Sequence, residues 1–217
     1  MQAADPDYSN FLESLKKRLK EQLPGLESQL KMAPVNREHL IYRLKHKTPP
    51  RQSAVLILLF PHLGNLHTVF IKRNIYIGVH SGQVAFPGGQ FEKYDNDLYA
   101  TALREAEEEL GIDPTSVVIL GSLTKLYIPP SNFDVMPVVA FTTTKPIFRM
   151  QPAEVADIFI TSLSHLADPE TCQNKRITYA DGRTFQTPCF MVDDHMIWGA
   201  TSMILNELIE ILQGVGI

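Results

Sequence analysis

The chain of 217 residues has only two cysteines, Cys172 and Cys189. They are too few and too widely spaced for a metal knuckle or a disulfide framework, so they read as ordinary reduced side chains. No apolar run approaches the ~20 residues needed to cross a bilayer. The first residues also lack the basic-then-apolar layout of a secretory signal, and the expectation is a cytoplasmic protein with no membrane partner. Charge of one sign is scarce: 20 Lys and Arg stand against 24 Asp and Glu, for a net charge of -4. Without a basic stripe, a surface built to coat nucleic acid is excluded, whereas small phosphorylated substrates are not. No Gly-Lys-Ser/Thr closes a glycine loop, so there is no Walker loop. Repeats and low-complexity tracts are missing too. What the chain does have is core material, with 44% hydrophobic residues, enough for one domain with a terminal extension.

The most informative stretch runs from Gly88 to Ile112. Asp97 can cap a helix by accepting from first-turn N-H groups, and Gly111 can end it in the left-handed conformation, which predicts three to four turns between them. Leu98, Ala102, Ala106 and Leu110 then share one apolar stripe. Glu105, Glu108 and Glu109 fall at i, i+3 and i+4 on another face. Like charges at those spacings cost a few tenths of a kcal/mol per pair, roughly, and acids near a helix C-terminus oppose the macrodipole. A divalent cation would turn the repulsion into binding energy, and carboxylate oxygens suit Mg2+ or Mn2+. The plainer alternative is a solvated acidic face.

Arg104-Glu105-Ala106-x-Glu108-Glu109-x-Gly111-Ile112, preceded by Gly88-Gly89, closely resembles the signature box of the Nudix hydrolases. The resemblance implies an α/β/α sandwich with a mixed β-sheet. It also implies that Glu105, Glu108 and Glu109 ligate metal, that Arg104 orients the glutamates by ion pairing, and that Gly89 makes a backbone contact beside the metal. Gly89 and Arg104 are one position further apart than in the commonest form of the box, which leaves Glu92 and Asp95 as the nearest counterparts of its isolated acid. Upstream, Arg73, then His80-x-Gly82-Gln83, then Phe86-Pro87-Gly88-Gly89, is similar to the coenzyme A diphosphatase branch, whose box has the same extension. Pro152-Ala153-Glu154-Val155 and Ile197-Trp198-Gly199-Ala200-Thr201 carry the same likeness, which covers roughly residues 53–212. Gly78 stands where that branch often has a basic residue.

Elsewhere, periodicity predicts an amphipathic helix over Ser9 to Leu23 and a short one over Leu26 to Met32. With a linker they form an extension, residues 1–50, ahead of a Nudix domain at 51–217. The extension is expected to pack on the domain or on a second copy of it, as a homodimer contact. Arg43 to Arg51 is a basic, proline-broken run, either a solvated linker or an attractor for an extra substrate phosphate. Strands are expected at Ser53 to Phe60, Thr68 to Lys72, Thr115 to Thr124, Val135 to Thr142 and Ile158 to Ile160, with a hairpin turning at Asp181-Gly182. A core-closing helix is expected over Ser202 to Leu212.

Arg73 is a cation for phosphate, and His80 and Gln83 either contact substrate or fix their loop. Tyr127 and Phe133 either contact a base or the pantetheine arm or are edge aromatics of the core. Glu154 either joins the site, as metal ligand or activator of water, or is a surface acid. Glu108 and Glu154 share the nomination for general base. The function expected is metal-dependent hydrolysis of the diphosphate of coenzyme A or its thioesters to 3′,5′-ADP and a 4′-phosphopantetheine product. The alternatives are another nucleoside diphosphate linked to X, such as ADP-ribose, and a non-catalytic nucleotide-binding module.

Overall fold

The computed structural model describes residues 7–34, 48–76, 80–178, 182 and 184–216. Gly78, most of the basic run at 43–47 and Asp181 of the hairpin turn lie outside them. The central strand is β1 (Arg51–His62), longer at both ends than the apolar run that announced it. Along one edge it pairs in parallel with β7 (Phe133–Phe141) over its first nine residues. Its other edge is divided. The start pairs antiparallel with β4 (Gly88–Gln90), and the end turns through Leu63 and Gly64 into β2 (Asn65–Arg73). Between those two partners a gap opens, and the loop leading through β3 (Val84–Ala85) and Pro87 fills it. The edge of β7 is divided in the same way between β5 (Val118–Ser122) and β6 (Leu126–Ile128). With β8 (Val155–Ser162) on β2, these strands form an eight-stranded mixed sheet.

Alternation along β1 sorts the core into two layers. Ala54, Leu56, Leu58 and Phe60 face α3 (Leu98–Leu110), whose Ala102, Ala106 and Leu110 are fully buried. Ile57 and Leu59 face the opposite layer, where α5 (Ala200–Gln213) packs together with α1 (Ser9–Arg18) and α2 (Gly25–Leu30). This is an α/β/α sandwich. A separate antiparallel sheet of β9 (Cys172–Thr178), β10 (Thr184–Val192) and β11 (His195–Trp198) follows the short α4 (Leu163–Leu166), capped by Ser162. No helix among the described residues is long and apolar enough to cross a membrane.

Several boundaries differ from those the residues suggested. Pro114 opens a 3-10 turn that takes up Thr115, so the strand expected from Thr115 starts at Val118. The first helix stops at Arg18, five residues before Leu23, since the chain must turn ahead of Pro24 to lay α2 against α5. Strand β6 was not legible because three residues carry too little pattern.

The second N-terminal helix is fastened by a buried carboxyl group. Glu207 of α5 is fully buried and accepts from the Gly25 N-H at 3.0 Å and from Gln29 Nε2 at 2.8 Å. Gln29 Nε2 also donates to the Thr124 carbonyl. Leu15, Leu19 and Met32 join the same buried cluster as Leu205 and Leu208. Removing a buried acceptor strands its donors at about 1–3 kcal/mol each. Glu207→Ala should therefore lower unfolding free energy by about 3 kcal/mol in urea titration; a change under about 1 kcal/mol would show that this side chain does not fasten α2.

Candidate active site

Helix α3 forms as its caps dictate. Asp97 accepts from the Ala100 N-H at 2.8 Å, and Gly111 sits at φ 67°. The last two turns carry Glu105, Glu108 and Glu109 towards β4, each in a different setting. Glu109 is 1% exposed, accepts from the Gly88 N-H at 2.8 Å and lies 3.8 Å from Arg73. Glu105 is half-buried against Gly89, where a Cβ would stand 2.5 Å from its carboxylate. Glu108 is exposed. Glycine is needed at both positions for different reasons, by the fold at Gly88 and by the placing of Glu105 at Gly89. A Cβ on Gly89 meets the movable end of a side chain, whereas one on Gly88 would lie 2.3 Å from the Ala54 carbonyl oxygen.

One guanidinium restrains the repulsion. Arg104 Nη1 donates to Glu105 at 2.8 Å and to Glu108 at 3.0 Å, while Nε and Nη2 grip Asp95 at 2.9 and 3.1 Å. Nη2 also donates to the Gln90 carbonyl at 3.0 Å, which ties α3 to β4. Asp95 is buried and accepts in addition from Thr101 Oγ1 and the Glu92 N-H. Of the two acids left open by the longer box, then, Asp95 is the one engaged with Arg104. Sequence reasoning did not separate it from Glu92; the hydroxyl of Thr101, six residues on, was the available signal.

The electrostatics follow from burial. Desolvation raises Glu109 to about 7, although Arg73 and the Gly88 N-H pull the other way. Burial also raises Glu105 against the opposing pull of Arg104. Hydrogen bonding to Arg104 holds Asp95 down at about 2, and Asp95 in turn raises Arg104. The charge of Glu154, exposed just before β8, raises both Glu105 and Glu109, so it acts on the same face.

Beside this acidic face lies a cavity of about 450 Å3 at the divided edge of β1. Arg73, His80, Gln83, Gly89 and Phe133 all line it. Arg73 Nη2 donates to the Gly88 carbonyl at 2.8 Å. His80, at φ 69°, bridges Gln83 Oε1 at 3.0 Å and Ser131 Oγ at 3.2 Å. Tyr127 is not among the lining residues; it belongs to β6 and its hydroxyl donates to Asn132 at 3.1 Å. Arg51, the end of the basic run for which attraction of a substrate phosphate was one of two readings, also lines the cavity, as do Ser131 and Thr201, which the residues alone did not single out as cleft contacts. Among the described residues no three potential ligands stand in a ready cage for a metal, and Arg104 engages two of the three glutamates. The donors nonetheless fit a hard divalent cation by chemistry: all are carboxylate oxygens, one is deeply desolvated, and the glycine beside Glu105 leaves room for nothing larger.

Fold and site together define a mixed-sheet sandwich in which an acidic helix is braced against a diglycine strand beside an open cleft. The model of the NUDIX domain matches residues 50–181. Among curated relatives, the mitochondrial Nudix hydrolase 15 of Arabidopsis thaliana is 35% identical over 72% of this chain and 56% of its own length. The uncharacterized Nudix hydrolase NudL of Salmonella dublin is 35% identical over 76% of this chain and 85% of its own. The peroxisomal coenzyme A diphosphatase NUDT7 of Mus musculus is 35% identical over 70% of this chain and 66% of its own. The chain therefore spans little more than half of the Arabidopsis relative. A Nudix hydrolase from M. smegmatis, RenU, superposes with a TM-score of 0.54 over 78% of this chain and 90% of that one; at 13% identity this shows the fold alone. The chain belongs to the Nudix hydrolase family, whose members generally use divalent metals.

Two predictions follow from this geometry. In metal-free protein, Glu109 has a folded pKa near 7 against 4.5 for the free side chain. Its stabilising contribution is full below 4.5 and is lost as the pH rises through 7, by about 3 kcal/mol. Denaturation midpoints should fall between pH 5 and pH 8, and Glu109→Gln should remove most of that slope; an equal slope in both proteins would contradict the assignment. Gly89→Ala should displace Glu105 and abolish activity with thermal stability nearly kept, whereas Gly88→Ala should destabilise the fold itself. Equal stability losses in the two variants would contradict this division.

Proposed function

We propose that this protein is a divalent-metal-dependent pyrophosphohydrolase that cleaves the diphosphate of coenzyme A or its derivatives to 3′,5′-ADP and 4′-phosphopantetheine. The observation that carries the reading is the juxtaposition of the Glu105, Glu108 and Glu109 face with a largely apolar cleft of about 450 Å3 beside β4. Such a cleft suits a substrate with a charged middle and an extended organic arm. The similarity to a relative named a coenzyme A diphosphatase supports the same choice.

Glu105, Glu108 and Glu109 would hold Mg2+ or Mn2+, with the Gly89 backbone alongside. The chemistry that a bound divalent cation supplies is neutralisation of charge on the diphosphate oxygens. Arg73, already fixed to the Gly88 carbonyl, directs its remaining N-H groups to phosphate. Arg104 keeps the glutamates in place rather than touching substrate, since its donors are committed to Asp95, Glu105, Glu108 and Gln90. Glu108 and Glu154 are exposed carboxylates of the acidic face, and one of them takes the proton of the attacking water. His80 and Gln83 hold one wall of the cleft and offer polar atoms to the substrate. Phe133 offers its ring to the base or the pantetheine arm. A non-catalytic binding module would have no use for a complete acidic set held in tension.

Mass analysis of products from coenzyme A, its thioesters, ADP-ribose and a dinucleotide, each with Mg2+ or Mn2+, tests the proposal. Coenzyme A should yield 3′,5′-ADP, and Glu105→Gln should reduce that turnover at least 100-fold with the fold retained. Rapid cleavage of ADP-ribose with coenzyme A untouched would overturn the substrate, and unchanged turnover in Glu105→Gln would overturn the site.

A further inference from the structure

Three arginines line or brace this site, and they differ in what they are committed to. Arg104 is saturated by carboxylates, and Arg73 lies 3.8 Å from Glu109. Arg51, the first residue of β1, lines the cleft and has no acidic partner within ion-pair distance among the described residues. It is nevertheless held firmly. Its guanidinium lies 4.0 Å from the centroid of the Phe133 ring, Nη2 donates to the Ser131 carbonyl at 3.0 Å, and Nη1 donates to Gln90 Oε1 at 3.2 Å. Those two bonds leave Nε-H and one N-H on each terminal nitrogen unspent. A charge fixed in this way with donors to spare is preorganised for a dianion, because little side-chain freedom remains to be lost on binding.

Its position says which anion. Gly89, the residue against which Glu105 packs, pairs with Ala54 on β1. Arg51 comes three residues earlier, so its backbone lies roughly 10 Å along the strand from the acidic face. Alternation puts Arg51 on the same side of the strand as Ser53 and Val55, two other residues of the cleft wall. Its guanidinium lies over Phe133, the residue opposite it on β7, a place that suits a charge separate from the phosphates that flank the scissile bond.

We propose that Arg51 is the specificity-determining residue that binds a phosphomonoester carried by the nucleoside outside the diphosphate. The assignment rests on the coenzyme A reading above, in which the 3′-phosphate is that group. Substrates of the same length without it lose this one contact and keep the rest of the site. Phe133 is the platform that sets the guanidinium plane, so it is a positioning residue for Arg51.

Steady-state kinetics on coenzyme A and on 3′-dephospho-coenzyme A, for the wild-type protein, Arg51→Gln and Arg51→Lys, tests this. A charge-assisted contact is worth about 1.5–3 kcal/mol, so the wild type should favour coenzyme A by roughly 10- to 100-fold in kcat/KM. Arg51→Gln should bring that ratio close to one by lowering the coenzyme A value, with dephospho-coenzyme A cleaved as before; that retained activity also shows that the variant is folded. Arg51→Lys should keep part of the preference. Inhibition should follow the same pattern, with 3′,5′-ADP binding more tightly than AMP in the wild type only. Equal wild-type rates on the two substrates, or an equal loss on both in Arg51→Gln, would overturn this inference and leave the proposed activity standing. Cleavage of neither substrate would instead overturn the proposed activity, and this inference with it.

Discussion

The structure depends on keeping three mutually repelling carboxylates together at the wrong end of a helix. Left alone, Glu105, Glu108 and Glu109 would oppose one another and the helix dipole. The chain meets this in three separate ways: Arg104 bridges two of them, the Gly88 N-H and Arg73 hold the third, and Asp95 anchors Arg104 from the other side. Every one of these restraints comes from outside the helix turn it restrains or reaches beyond it. Helix, strand β4 and the preceding loop therefore form one electrostatic unit, and a diglycine is what allows the helix to come this close.

The sheet places that unit where a ligand can reach it. Because β1 gives one half of its edge to β4 and the other half to β2, the backbone parts next to the glutamates, and the cleft begins there. Its far wall is the first turn of α5, with Ala200 and Thr201, and Thr201 bonds the Val84 carbonyl at 3.0 Å. The same helix carries Glu207, to which α2 is fastened. One element thus serves as a wall of the cleft at one end and as the seat of the N-terminal helices further along.

Much of this was legible in the residues. The caps Asp97 and Gly111 and the apolar stripe were set by helical period and by local side-chain chemistry, and the structure has them as expected; the three glutamates share the end of that helix, but one is buried, one half-buried and one exposed. The sandwich followed from the signature box. Features that depend on residues far apart in the chain were harder to read. Asp95 and Glu92 have the same chemistry, and only burial distinguishes them. Glu207 was not singled out at all, since nothing in its neighbourhood announces Gly25 and Gln29, about 180 residues away. Arg51 belonged to a basic run that read either as a linker or as an attractor for an extra substrate phosphate; its place over Phe133 arises from parallel pairing of β1 with β7, which no local pattern encodes.

The central claim is that the acidic face of α3 exists to bind a hard divalent cation, and direct titration tests it without reference to any substrate. Mn2+ binding followed by electron paramagnetic resonance should be saturable in the unaltered protein and should be competed by Mg2+. It should vanish when Glu105 and Glu109 are both replaced by Gln. Absence of uptake, or uptake untouched by that double replacement, would contradict the account.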